Sequence, residues 1–415
     1  MAERNLAALA HLKVLDLSRV LAGPWCTQIL ADLGADVIKV ERPEVGDDTR
    51  HWGPPFLKNG LGNDTVQASY FSCTNRNKRS ITLDLAHPKA QVLLRQLVLQ
   101  SDVLVENFKV GGLQAYGLDY ESLKALNPRL VYCSITGFGQ TGPYAQRAGY
   151  DLMIQAMSGM MSITGRADEV AGGGPQRLGV ALTDILTGVY ASTAILAAIE
   201  ARHQTGCGQH IDMALFDVGM AMLANQAAGF LNTGQVPKRQ GNSHPSLAPY
   251  QDFATADGSL LLAIGNDGQF SRFCAAADHP EWAQDPRFSS NSLRVANREA
   301  LVDLLTSATQ MRSTADWITL LEDRAVPCGP INDLAQAFAE EQVMVRELVV
   351  RQPSRCDGAD GSVEVATVAS PLRLSDTPTV LRRAPPSLGE HTEEVLKELG
   401  LDAQAIAQLR QEQVL

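Results

Sequence analysis

Short apolar runs alternate with amphipathic stretches along the first half of the chain. LKVLDL (12–17) has the length and composition of a strand, and small residues follow it at Ala22-Gly23-Pro24. WCTQILADLGA (25–35) then carries helical spacing and stops near Gly34, a residue suited to a left-handed C-cap. DVIKVE (36–41) is a second strand, so a β-α-β unit closes within about thirty residues. SITLDL (80–85), a helix over about 87–100, DVLVEN (102–107) and the strand RLVYCSIT (129–136) continue the alternation. Strands and helices in turn predict an α/β fold: a large Rossmann-like parallel-sheet domain with helices on both faces.

Beyond this, ALTDILTGVYASTAILAAIEARHQTG (181–206) reads as one long apolar helix with small residues, and HIDMALFDVGMAMLANQAAGFLN (210–232) as a second. Composition shifts after Gly234. QVPKRQGNSHPSLAP is loop-like, and YQDFATADGSLLLAIGN (250–266) predicts a hairpin turning at Asp257-Gly258. Three segments follow from this: 1–225 as the first part of the large domain, 226–330 as a smaller α+β domain, and 331–415 as a return to the large domain. The last contains strands near LVVRQP and SVEVATV and a helix near HTEEVLKELG.

Composition narrows the function. The net charge of −11 is poorly suited to nucleic-acid binding, and an anionic ligand would need positive groups gathered locally. Seven scattered cysteines without a CxxC pair predict no disulfide framework or zinc site and favour a reducing, cytoplasmic setting. Neither a signal-peptide pattern nor eighteen uninterrupted apolar residues is present, so no membrane span is expected. The eight histidines are dispersed, and no metal is expected.

Among motifs, GFGQTG (137–142) matches the dinucleotide spacing, but Pro143 follows where a helix should open, which makes it a decoy that can still line a site. There is no Walker motif and no nucleophile elbow. Carboxylates remain. Asp184 in RLGVALTDILTG and Asp151 in RAGYDLM each stand at a helix start, where capping is the simplest role. Arg42 and Arg50 flank the acidic GDDT turn, where surface ion pairing is the simplest role.

Eight segments taken in order resemble the class III CoA-transferase family, the group of formyl-CoA transferase, carnitine CoA-transferase and α-methylacyl-CoA racemase. They are VLDLSRVLAGPWCTQILADLGADVIKVERPEVGDDTR, NRNKRSITLDL, DVLVENF, GYDLMIQAMSGMMSITG, GVALTDILTG, GNDGQF, VPCGPI and LGEHTEEVLKELG. Within the family, GDDTRHWGPPF, YCSITGFGQTGP, QRAGYD and HPSLAPYQDF are similar to the branch exchanging CoA between succinate and glutarate. The resemblance implies that Asp184 is the nucleophile. It implies that Arg42, Leu83, Asn107, Phe108 and Arg147 line the CoA site, with Tyr150 and Asp151 near the thioester. Gly265, Gly268 and Gln269 match a mobile loop over the active site, whose backbone N–H groups would stabilise oxyanions. Acyl-CoA and a carboxylic acid are then substrates, no cofactor is held permanently, and two subunits interlock as a homodimer. A dicarboxylate also needs a cation for its far carboxylate, for which Arg19 and Arg50 are the candidates.

Some positions depart from the family pattern. Ala86 and Ala115 replace basic residues that formyl-CoA transferase has near CoA, and Leu21 replaces its glutamine, which speaks against oxalate or formate. Tyr150 stands where the racemase branch has histidine, which removes the usual base for an α-proton. A 2-methylacyl-CoA racemase, a transferase for another carboxylic acid and a non-catalytic CoA-binding protein are the alternatives.

Overall fold

The computed structural model describes residues 7–355 and 362–415, so Cys356 lies outside the described residues. The chain divides into two compact units. The larger takes in Met1–Gly159, Leu178–Ala227 and Met344–Leu415, and the smaller Met160–Arg177 and Ala228–Val343. Residues 160–177, which the sequence reading kept in the first domain, thus group with the smaller unit.

In the larger unit, six strands form one parallel sheet: β1 (Lys13–Asp16), β2 (Asp36–Glu41), β3 (Lys78–Thr82), β4 (Val103–Glu106), β5 (Val131–Thr136) and β6 (His210–Ala214). Their order is β3-β2-β1-β4-β5-β6, the doubly wound arrangement. Alternate side chains enter two cores. Val14, Val103, Val105, Val131 and Cys133 pack into one face, and Leu15, Leu104 and Tyr132 into the other. Both faces are covered, which is why these strands read as near-continuous apolar runs. The chain order reverses between β1 and β4, and an open α/β sheet offers its ligand crevice beyond the carboxyl ends of the strands at such a point.

The strand β6 stands where the apolar pattern of HIDMA predicts the start of a helix. The alternation was present, because Ile211 and Met213 pack on the core while His210 and Asp212 point the other way. The apolar run that continues into LFDVGMA hid this period of two, and the helix begins only at Leu215.

The helices of this unit that matter for the site are α1 (Ala22–Asp32), α2 (Pro88–Leu99), α3 (Tyr120–Leu126), α4 (Asp151–Met157), α5 (Leu182–Thr205) and α6 (Leu215–Ala221). By length and composition α5 could cross a bilayer. In the protein, one of its faces, carrying Thr187, Gly188, Ala191, Ile195, Ala198 and Ile199, is buried. Gly188 permits the contact with α1: a Cβ there would stand 2.7 Å from the Ala22 carbonyl oxygen. The helix ends at Gly206 with φ +76°, a conformation that disfavours a side chain.

The smaller unit holds a three-stranded antiparallel sheet of β7 (Tyr250–Ala254), β8 (Ser259–Ala263) and β9 (Cys328–Pro330), in the order β9-β8-β7. Leu260 and Leu262 alternate into a core with Phe253, Phe270, Phe273, Trp317 and Leu321. The helix α7 (Asp267–Ala276) starts there, capped by the Asn266 side chain, which accepts from the Gln269 N–H at 2.9 Å.

Candidate active site

Beyond the carboxyl ends of β1 and β4 lies a cavity of about 400 Å3. It is lined by Arg19, Leu21, Asn107, Phe108, Arg147, Tyr150 and Asp184, among others. A second cavity of about 310 Å3, bordered by Arg42, Leu83 and Ala86, shares Arg19 and Phe108 with the first. The two lie side by side at the switch point of the sheet, with Arg19 and Phe108 between them.

The turn after β1 is held rigidly. The Arg19 N–H donates to Asn107 Oδ1 at 3.0 Å, and Asn107 Nδ2 donates back to the Arg19 carbonyl at 2.7 Å, stitching the ends of β1 and β4 together. Val20 has φ +72°, a strained conformation for a β-branched residue. Its N–H donates to both Asp47 carboxylate oxygens at 3.2 Å. Asp47 is paired with buried Lys39 at 2.9 Å, and Lys39 Nζ also donates to the Ser18 carbonyl at 2.8 Å. Beneath them, Lys78 pairs with Asp16 at 3.0 Å. Burial works against the Asp16 carboxylate, but Lys78 and Lys39 outweigh it and hold the group down at about 2. This buried charge network fixes the turn from which Arg19 emerges.

Asp184 sits in the first turn of α5, but it does not cap the helix. That role falls to Asp151 of α4, whose Oδ1 accepts from the Thr183 N–H at 3.0 Å, from the Thr183 hydroxyl, and from the Asp184 N–H at 3.4 Å. Asp151 Oδ2 accepts from Gln155 at 2.7 Å. Asp184 is thereby left to face the cavity. Burial, and next the Asp151 charge, push its carboxyl up to about 7. A carboxylate raised in this way is a better nucleophile than an ordinary surface aspartate, at the expense of being partly protonated near neutrality.

Positive groups gather here against the acidic background. Arg19, Lys109 and Arg147 border the first cavity and Arg42 the second. Asp48 pairs with Arg19 at 2.9 Å and with Arg42 at 3.4 Å, both exposed pairs that an anionic ligand can displace at little cost. Arg147 stacks over Tyr144 at 4.5 Å, which orients it. Tyr150 is 67% exposed at the cavity mouth.

Not every expected residue arrives. Arg50 lines neither cavity: its guanidinium forms a buried bidentate pair with Glu41 at 2.8 and 2.7 Å and stacks on Phe71. It is a structural ion pair, which removes it as a candidate for a substrate carboxylate. Asp151 acts behind Asp184 instead of lining the cavity. Gly265, Gly268 and Gln269 lie in the smaller unit, where Gln269 Oε1 accepts from the Gly265 N–H at 2.8 Å. Sequence reasoning missed Lys109, Asp48 and Val20. Only Lys109 carried a signal, being the basic residue next to Phe108. GFGQTG serves as a lining loop: a Cβ on Gly137 would stand 2.5 Å from the Gly149 Cα, and no helix opens after it.

Fold and site together define a doubly wound α/β protein with a half-buried carboxylate facing a cation-lined crevice at the switch point. The chain belongs to CoA-transferase family III, whose model matches residues 9–392, and it is a CoA-transferase. It is 50% identical to the succinate–glutarate CoA-transferase of Agrobacterium fabrum, over 94% of this chain and 95% of that protein. It is 42% identical to the human succinyl-CoA:glutarate CoA-transferase, over 98% of this chain and 89% of that protein. A crystal structure of a CAIB/BAIF family protein from Brucella suis superimposes with a TM-score of 0.82 at 50% identity, covering 94% of this chain and 98% of that one.

Proposed function

We propose that the protein moves CoA from succinyl-CoA to a dicarboxylic acid such as glutarate, with Asp184 carrying acyl group and CoA in turn. The observation that carries this reading is the placement of the Asp184 carboxyl, pushed up to about 7, on a crevice that also presents Arg19, Asn107 and Arg147. The Asp184 carboxylate attacks the thioester carbonyl and expels CoA thiolate, leaving a mixed anhydride. The thiolate attacks the aspartyl carbonyl of that anhydride, which releases succinate and leaves an aspartyl-CoA thioester. The acceptor carboxylate attacks this thioester, and the steps run in reverse to give the new acyl-CoA and free Asp184.

Thioester and carboxylate only exchange partners, so no ATP is required. Holding the reacting groups in line can remove roughly 7–11 kcal/mol of barrier when alignment is ideal. The first-turn N–H groups of α1 start beside the cavity at Leu21 and Ala22 without a side-chain cap, which suits them to the oxyanion. Arg19, which borders both cavities, is the cation for the far carboxylate of a dicarboxylate, and Arg42 serves the CoA phosphates. Tyr150 offers a phenol where a racemase needs an imidazole, which supports transfer over racemisation.

The working unit in this reading is an interlocked homodimer. Outward-facing apolar side chains on α5 and on Ala224–Thr233, with Leu231 78% exposed, support a second copy as their cover. A reducing, cytoplasmic setting fits the six described cysteines, all free thiols.

Incubation with succinyl-CoA and a panel of acids, read by mass spectrometry, is expected to give glutaryl-CoA. Withholding the acceptor is expected to leave an adduct on the peptide bearing Asp184. Asp184→Ala retaining near-normal turnover, with CoA binding intact, would refute the covalent role.

A further inference from the structure

A polar chain without a role in the transfer steps runs under the end of β4. Glu106, the last residue of β4, stands opposite Ser134 of β5 in the sheet, and the Ser134 hydroxyl helps to hold its carboxyl down. Ser134 Oγ lies 2.9 Å from Nε2 of His210, at the start of β6. The imidazole stacks on Tyr120 of α3 at 4.9 Å and meets the edge of Tyr132. Glu106 Oε2 also accepts from the Phe108 N–H at 2.7 Å. Glu106 is buried and forms no ion pair among the described residues, although a small pocket of about 180 Å3 beside it is bordered by Lys109, Asp119, Glu121, Tyr132 and His210, with Asp212 further along β6.

Three facts make this chain more than a buried polar cluster. Among the described residues its backbone hold on the crevice is at Phe108, which lines both cavities. The loop it holds is the one whose Asn107 is stitched to Arg19. And burial pushes the Glu106 carboxyl up to about 7, opposed by Ser134 and the Phe108 amide, while burial keeps the His210 imidazole below its usual range.

We propose that Glu106 is a positioning residue for CoA binding: when ionised it grips the Phe108 amide and sets the Asn107–Phe108 loop for the ligand, and when protonated it relaxes that grip. The proton is accommodated within the chain. Ionised Glu106 accepts from the Ser134 hydroxyl, which in turn accepts from His210 Nε2–H. Protonated Glu106 donates to Ser134 Oγ, whose hydroxyl turns to His210 Nε2 in the other tautomer. The Ser134 hydroxyl can turn toward either neighbour, so the carboxyl keeps a partner in both states. Affinity for CoA thus rises with pH as Glu106 loses its proton.

The inference rests on the crevice being the CoA site, and the test separates the two ideas. CoA binding is measured by calorimetry from about pH 6 to about pH 8.5, either side of the Glu106 titration. The host is Asp184→Asn, which removes the other carboxyl that titrates in this range, and the CoA phosphates titrate alike in every variant. A charge-assisted bond replaced by a neutral one predicts that affinity in this host rises about fivefold across the range. Adding Glu106→Gln is expected to flatten the curve at its low-affinity level, because the amide still accepts from Phe108 but cannot ionise. Adding Ser134→Ala removes a bond that favours the ionised form and is expected to move the rise to higher pH, which keeps the idea testable should Glu106→Gln not fold. Curves that stay parallel to that of the host overturn the role of Glu106. Absence of CoA binding in the host at every pH overturns the reading of the crevice itself.

Discussion

Replacing Asp184 by asparagine is expected to make the protein inert and more stable at once. The native carboxyl is pushed up to about 7 by burial and by Asp151, against 3.8 for the group free in water. Its folded value is raised, so the folded state suffers no penalty below the unfolded value, a growing one from about pH 4 to about pH 7, and the full one above that. The gap of roughly three pKa units corresponds to about 4 kcal/mol, and partial solvent access to the cavity brings this to about 2–4 kcal/mol. Asparagine keeps the shape and removes both the buried charge and its repulsion with Asp151. Denaturant midpoints for the two proteins are expected to coincide near pH 4 and to separate as pH rises, with the variant the more resistant. A variant no more stable than the native protein at about pH 8, or a difference that ignores pH, would refute the claim that the site stores this strain. The same measurement tests the trade of stability for activity that the proposed role of Asp184 implies.

On the proposed role of Asp184 as an ionised nucleophile, turnover is expected to fall as pH drops through about 7, and Asp151→Asn is expected to move that fall to lower pH by removing the like charge; an unmoved pH-rate profile counts against the pairing. Arg50→Ala strands the buried Glu41 carboxylate and is expected to cost about 3–5 kcal/mol of stability, read from denaturant midpoints, with KM for acyl-CoA unchanged where the variant is folded. Gly188→Ala places a methyl group 2.7 Å from the Ala22 carbonyl oxygen and is expected to force α1 and α5 apart at about 1–3 kcal/mol, visible as a lowered Tm.

Much of the architecture was legible because its signals are local. Strands buried on both faces need continuous apolar runs, and the glycines that end α1 and α5 stand where a left-handed residue is required. Asp184 was legible through its surrounding motif, since nothing in its own chemistry separates it from a cap. What kept β6 from view was the merging of a period-two strand into a period-3.6 helix within one apolar run.

Charge pairing, by contrast, belongs to the tertiary structure. Arg42 and Arg50 flank the same acidic turn in the chain, yet Arg42 faces the crevice while Arg50 is locked to Glu41 under Phe71. Asp151 and Asp184 look alike in sequence, and only folding makes the first the cap and the second the carboxylate that faces the cavity. The chain alone specifies which segments are strands and helices, because those depend on neighbours a few residues away. Which carboxylate is paired and which is left facing the cavity depends on groups tens to hundreds of residues distant, and on the burial they impose together.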